Sequence, residues 1–195
     1  MKRCSLKHKY LSSLFLLFIF LYGSPGFSTV RVAFFEAYNR DGSRVELTPG
    51  GKFFHVAIEI EGYWYHTSTK EGVVQLRGIS PQAGVKLVEI LENRDLEITH
   101  RDLRPYLFLP FDYTYSWEKE NSTYCSKFVA QLLGVKPKRM GFKSSHWRLA
   151  HGVKKGYRGV SPDFLYWQLI QKGFEISEEP LLRRREPLLC KRLFR

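Results

Sequence analysis

Residues 53–67 place two histidines on a short β-ribbon. Phe53-Phe54-His55-Val56-Ala57-Ile58-Glu59-Ile60 reads as one strand, Glu61-Gly62 as a break, and Tyr63-Trp64-Tyr65-His66-Thr67 as the returning strand. With a two-residue connection Ile60 faces Tyr63 and Ala57 faces His66. Strand side chains alternate, so His55 shares a face with Ala57 and both histidines reach the same side, diagonally across the ladder. A three-residue loop would reverse the parity and put them on opposite faces.

The rest of the chain is laid out around that ribbon. Val30 to Phe35, Val73 to Leu76 and Val85 to Leu91 read as further strands, with turns at Asn39 to Arg44 and Thr48 to Gly51. A helix is predicted over Thr123 to Leu133, because Tyr124, Phe128, Val129, Leu132 and Leu133 recur at helical spacing. Ser122 or Asn121 can cap it, and Gly134 with Pro137 ends it. A second helix opens at Ser161-Pro162-Asp163 (cap, first-turn proline, acid at the positive end of the dipole) and stops at Gly173. Strands first and helices after give an α+β domain without internal repeats.

Both ends differ from this middle. Met1 to Tyr10 is basic, Leu11 to Tyr22 is apolar, and Gly23 to Ser28 supplies small residues and a breaker, the build of a secretory signal peptide over residues 1–28. The apolar run is short of the roughly 20 residues of a spanning helix, so an uncleaved anchor is the lesser alternative. Residues 29–180 form the domain and 181–195 a basic tail mixing Arg183, Arg184, Arg185, Lys191 and Arg192 with Leu and Phe. The tail reads as a solvated end or as a contact for an anionic membrane surface. The formal charge of +12 favours anionic neighbours, and export argues against nucleic acid. Only Cys125 and Cys190 follow the leader; they could pair in an oxidising compartment, but two cysteines do not make a disulfide scaffold.

Cys125 falls in the first turn of the predicted helix. Taken alone it is an ordinary core residue. At that position, however, unpaired amides and the dipole favour a thiolate, and an imidazole from the ribbon supplies a base. The same amides can hold the oxyanion of a tetrahedral intermediate. His100 sits in a charged segment that reads as solvated surface, and His146 and His151 are spaced five apart, which is wrong for a shared helical face. His55, His66 and Cys125 have the right ligand types for zinc but no fourth partner, so neither a metal nor any other cofactor is expected.

Three stretches carry a resemblance: "FFHVAIEIEGYWYHTSTKEGV", "PFDYTYSWEKENSTYCSKFVAQLLG" and "SPDFLYW". Together they resemble the circularly permuted branch of the NlpC-type papain-like cysteine hydrolases, which holds YiiX-like proteins and the lecithin:retinol acyltransferase relatives. The resemblance covers roughly residues 50–170. It implies a permuted papain-like fold, an antiparallel sheet packed on a nucleophile-bearing helix, with Cys125 as nucleophile, His55 as base and His66 as orienter. Tyr124, Asp112 and Tyr113 are expected to line the cleft and bind substrate. For an exported member it implies cleavage of cell-wall peptide amides. A lipid acyltransferase or deacylase of the same fold and a non-catalytic cleft-binding module are the alternatives. One departure is Lys127, where YiiX-like helices often carry an acid after Tyr-Cys-Ser.

Overall fold

The computed structural model describes residues 29–80, 83–141 and 156–178. The leader, His146, His151, Cys190 and the basic tail lie outside the described residues. The described residues hold equal numbers of basic and acidic side chains, so the formal excess of +12 belongs to the other stretches of the chain. No helix among the described residues is long and apolar enough to cross a membrane.

Five strands open the domain: β1 (Val30–Ala37), β2 (His55–Ile60), β3 (Tyr63–Ser68), β4 (Gly72–Leu76) and β5 (Val85–Asn93). A one-turn helix α1 (His100–Leu103) and a long loop lead to α2 (Cys125–Leu132). Then come β6 (Lys138–Arg139), β7 (Arg158–Gly159), α3 (Pro162–Gln171) and β8 (Glu175–Ile176). The main sheet has the order β4-β3-β2-β1-β5-β8, and its pairings are antiparallel. The fold is therefore mixed α+β, as the order of strands and helices predicts.

The hairpin has the expected register, with Ile60 opposite Tyr63, Glu59 opposite Trp64 and Ile58 opposite Tyr65. Its two turn residues both adopt positive φ, 51° at Glu61 and 80° at Gly62. Such left-handed pairs match the twist of the flanking strands, and glycine takes the second without steric cost.

Alternation along the strands sorts the sheet into two faces. Val32, Phe34, Val56, Ile58, Ile60 and Tyr65 join one buried cluster with Phe128 and Val129 of α2 and Leu165 and Leu169 of α3. Ala33, Phe35, Ala57 and Trp64 form a smaller cluster on the far face, beneath Ile79 of the segment after β4. The helix that begins at Cys125 thus packs on one side of the sheet, while His55, in alternation with Val56, belongs to the other.

Two polar clasps hold the loop connections. Asp163, in the first turn of α3, accepts the backbone N–H groups of Lys52 (2.6 Å) and Phe53 (3.0 Å), which fixes the entry to β2 two residues before His55. Lys127 is 1 % exposed, and its ammonium donates to the carbonyl oxygens of Ser116 (3.0 Å), Ser122 (3.1 Å) and Lys119. The predicted side-chain cap of α2 by Ser122 or Asn121 is not formed. The helix begins at Cys125 with Tyr124 as its N-cap and no side-chain capping bond, so Asn121 and Ser122 lie before the cap position. The α3 prediction holds: Ser161 caps Phe164 N–H at 3.2 Å, and Gly173 ends the helix at φ 83°.

Candidate active site

The β2–β3 ladder closes with Ile58 opposite Tyr65, and beyond it the two strands part. In register, the next inward-pointing amide of β2 belongs to Val56, which would otherwise meet Thr67. The Val56 N–H instead bonds the thiol of Cys125, so the sulfur sits in the notch where the strands separate. The start of α2 reaches this notch because Phe128 and Val129, one turn further on, are anchored in the core at 0 % exposure.

His55 and His66 meet on the other side of the notch. Their rings stand edge to face, and His55 Nε2 lies 3.0 Å from His66 Nδ1. One ring donates and the other accepts. If His55 Nε2–H donates, its Nδ1 keeps a lone pair for a thiol proton, and His66 fixes both tautomer and ring plane. The diagonal pairing expected from a two-residue turn is present.

Cys125, His55 and His66 line one cleft of about 310 Å³. That volume lies at the small end of the roughly 300–1,000 Å³ typical of ligand sites. Phe35, Leu47, Trp64, Phe111 and Met140 contribute to its mostly apolar wall, and no lysine, arginine, aspartate or glutamate among the described residues lines it.

The resting electrostatics differ from a preformed ion pair. Burial pushes the Cys125 thiol up to about 11, against hydrogen bonds from the Val56 and Ser126 amides that pull it down. Burial, reinforced by the neighbouring His66, lowers His55 to about 3, and burial also lowers His66. The expected helix-terminus thiolate is therefore not the resting state: desolvation of a fully enclosed sulfur outweighs the first-turn amides. Both partners are neutral at pH 7.

No family model, curated protein or solved structure matches this chain. The site therefore stands on its own geometry.

The residues flanking the cysteine are structural clasps. Ser126 Oγ donates to Val160 O at 2.6 Å, while Tyr124 OH accepts from Val160 N at 3.1 Å. Together they draw the β7–α3 connection against the start of α2. A Cβ on Gly159 would lie 2.6 Å from Tyr124 OH and 2.3 Å from Met140 Cε, so only glycine allows this approach. Tyr124 does line the cleft, but at 1 % exposure and with its hydroxyl engaged it serves as wall and anchor.

Asp112 and Tyr113 do not line the cleft as expected. Asp112 is 2 % exposed and accepts from Thr114 N and Oγ1, Ser116 N and Lys119 Nζ. Burial alone would raise its carboxyl, but these bonds hold it below its usual range. Tyr113 is 47 % exposed, and its hydroxyl donates to Thr69 O. Both organise the loop before α2. His100 is likewise more than solvated surface: its Nδ1 is 2.8 Å from Tyr65 OH and its Nε2 3.0 Å from Glu61. It ties α1 to the hairpin turn.

Cys125 is a free thiol. Among the described residues no three His, Cys, Asp or Glu side chains are placed to hold a metal ion. Thr67, next to His66, went unnoticed in the sequence. It lines the cleft, is 2 % exposed, and its hydroxyl has no partner. Nothing in a run of strand residues marks such an orphan.

The depressed His55 makes acid stability a direct test. A group protonated at about 6.5 when unfolded but about 3 when folded leaves the unfolded state holding the extra proton between those values. Its contribution is complete above pH 6.5 and is lost as pH falls toward 3, at about 1.4 kcal/mol per pH unit where the slope is steepest. Denaturant melts at pH 7, 5 and 4 should show this decline, and His55→Gln should flatten it. An unchanged slope would mean that His55 is not desolvated.

Proposed function

We propose that this chain is a cysteine hydrolase on a permuted papain-like fold, exported by its leader and cleaving an amide through a thioester acyl-enzyme. The observation that carries the reading is the convergence of a helix-start cysteine and a hydrogen-bonded histidine pair in one cleft. His55 takes the thiol proton as Cys125 sulfur attacks the carbonyl carbon, and the uncapped first-turn amides of α2 hold the oxyanion. The intermediate collapses, the amine leaves with the proton from His55, and water activated by the same ring releases the acid. His66 keeps the ring in place. Being an imidazole, it orients without the charge stabilisation that a carboxylate would give.

The resemblance and the leader point to cell-wall peptides as substrate. A second reading, a lipid or other acyl substrate, is favoured by one observation, the absence of charged side chains from the described cleft wall. The resemblance also implies a periplasmic or envelope setting, where the basic tail would meet anionic lipid. Product analysis on cell-wall fragments and on phospholipid vesicles, with Cys125→Ala as control, tests both. Peptide or amine release supports the first substrate and fatty-acid release the second. No product from either, together with no labelling of Cys125 by a thiol-reactive acyl probe, would leave only a binding module.

A further inference from the structure

Among the described residues, Thr67 Oγ1 is the one buried side-chain oxygen or nitrogen without a hydrogen-bond partner. Thr67 lines the same cleft as Cys125, His55 and His66. Three other cleft hydroxyls are committed to the fold: Ser126 to Val160 O, Tyr124 to Val160 N and Ser161 to Phe164 N. A buried hydroxyl left unpaired costs about 1–3 kcal/mol, which a ligand that pairs with it recovers. Strand alternation places Thr67 with Tyr65 on the face against which α2 packs, while His66 shares the opposite face with Trp64 and Ala57. Continuing the β2–β3 register would set Thr67 across from Val56, whose N–H bonds the Cys125 thiol. The notch that holds the sulfur therefore has the imidazoles on one face of the sheet and Thr67 on the other. Thr67 is also held in place. It pairs with Val73 of β4, whose N–H donates at 3.2 Å to Leu109 O in the loop before α2.

We infer that the Thr67 hydroxyl donates a hydrogen bond to the substrate's carbonyl oxygen as Cys125 attacks, alongside the first-turn amides of α2. The inference rests on the cysteine-hydrolase reading for the group that is attacked. As the sulfur–carbon bond forms, the π pair of the carbonyl moves onto oxygen and the thiol proton passes to His55. The oxyanion is stabilised by donors and repelled by the lone pair of a neutral imidazole, so it lies across the sulfur from the histidines. Thr67 shares its proton without losing it, and the bond weakens again when the intermediate collapses. No lysine or arginine among the described residues lines the cleft, so neutral N–H and O–H groups carry this stabilisation. A hydroxyl without a partner at rest gives up no existing bond to supply one in the transition state.

Thr67→Val keeps the shape and removes the donor, whereas Thr67→Ser keeps the donor. Two reactions of Cys125 separate the possible roles. p-Nitrophenyl acetate acylates the sulfur through an oxyanion, while iodoacetamide alkylates it by displacing iodide at a saturated carbon and forms none. Thr67→Val should lower kcat/KM for the ester at least about tenfold. Its alkylation rate should be unchanged and its melting temperature unchanged or higher, since the hydroxyl has no partner in the resting fold. Thr67→Ser should retain most of the ester turnover. Wild-type ester turnover in Thr67→Val, or ester and alkylation rates that fall together, would overturn the assignment. So would a lower melting temperature in Thr67→Val, which would give the hydroxyl a structural partner. If Thr67→Val does not fold, Thr67→Ala takes its place for the comparison of the two rates. Should wild type be alkylated yet form no acyl-enzyme, the hydrolase reading falls, and binding of N-acetylglycine methylamide to Cys125→Ala decides. Weaker binding on adding Thr67→Val keeps Thr67 as a carbonyl contact, and equal binding overturns it.

Discussion

Replacing Cys125 by alanine should abolish both turnover and labelling by a thiol-reactive acyl probe, and His55→Ala should lower kcat by about 10²–10⁴-fold. The resting thiol is buried and held near 11, so without an acceptor it has almost no thiolate at neutral pH. His55 is the ribbon residue next to Val56, whose amide hydrogen-bonds the sulfur. Combining the two substitutions should cost little beyond Cys125→Ala, since groups acting as a unit are not additive. His66→Ala should fall between wild type and His55→Ala, with the base present but its ring free to turn. Measured rates for the four proteins check the scheme. A Cys125 that labels equally well with and without His55 would show that the imidazole is not its base.

The largest effect on stability is expected at Lys127. Lys127→Met should destabilise the fold by about 3–5 kcal/mol, because three carbonyl oxygens lose a charged donor in a site that excludes water. The melting temperature should drop on the order of 10 °C. Lys127→Arg should recover only part of this, since a planar guanidinium cannot replace a compact ammonium placed among three carbonyls. Because Lys127 lies two residues after Cys125 and fastens the loop before it, labelling of Cys125 should slow in Lys127→Met even below its melting temperature. Unchanged melting would mean that the 116–122 loop is held by other bonds.

These two cases mark how far the sequence could be read. Cys125, His55 and His66 were recognisable because hairpin parity and helix spacing are local rules that depend on neighbouring residues alone. Glu61-Gly62 set the register, and the register set which histidine faces which. The resting charge state was not recognisable. A cysteine in a first helical turn suggests a thiolate, and only the enclosure of that turn between sheet, loop and the Val160 segment reverses it. Asp112 and Tyr113 were expected in the cleft because the resemblance implied it. The polypeptide between them and the helix bends back on itself, with Asp112 accepting bonds inside the loop and Tyr113 facing outward. Lys127 looked like a departure from the YiiX-like pattern, and its four-carbon stem carries the charge back into the loop.

The sequence by itself determined the strand-then-helix order, the two-residue turn and the three side chains that line one cleft, because periodicity and turn chemistry act over a few residues. Only the tertiary structure decided what lies around them. The parting of β2 from β3, the grip of Tyr124 and Ser126 on Val160 and the mostly apolar cleft wall each join residues from distant parts of the chain, and no local pattern encodes desolvation or the shape of a cavity.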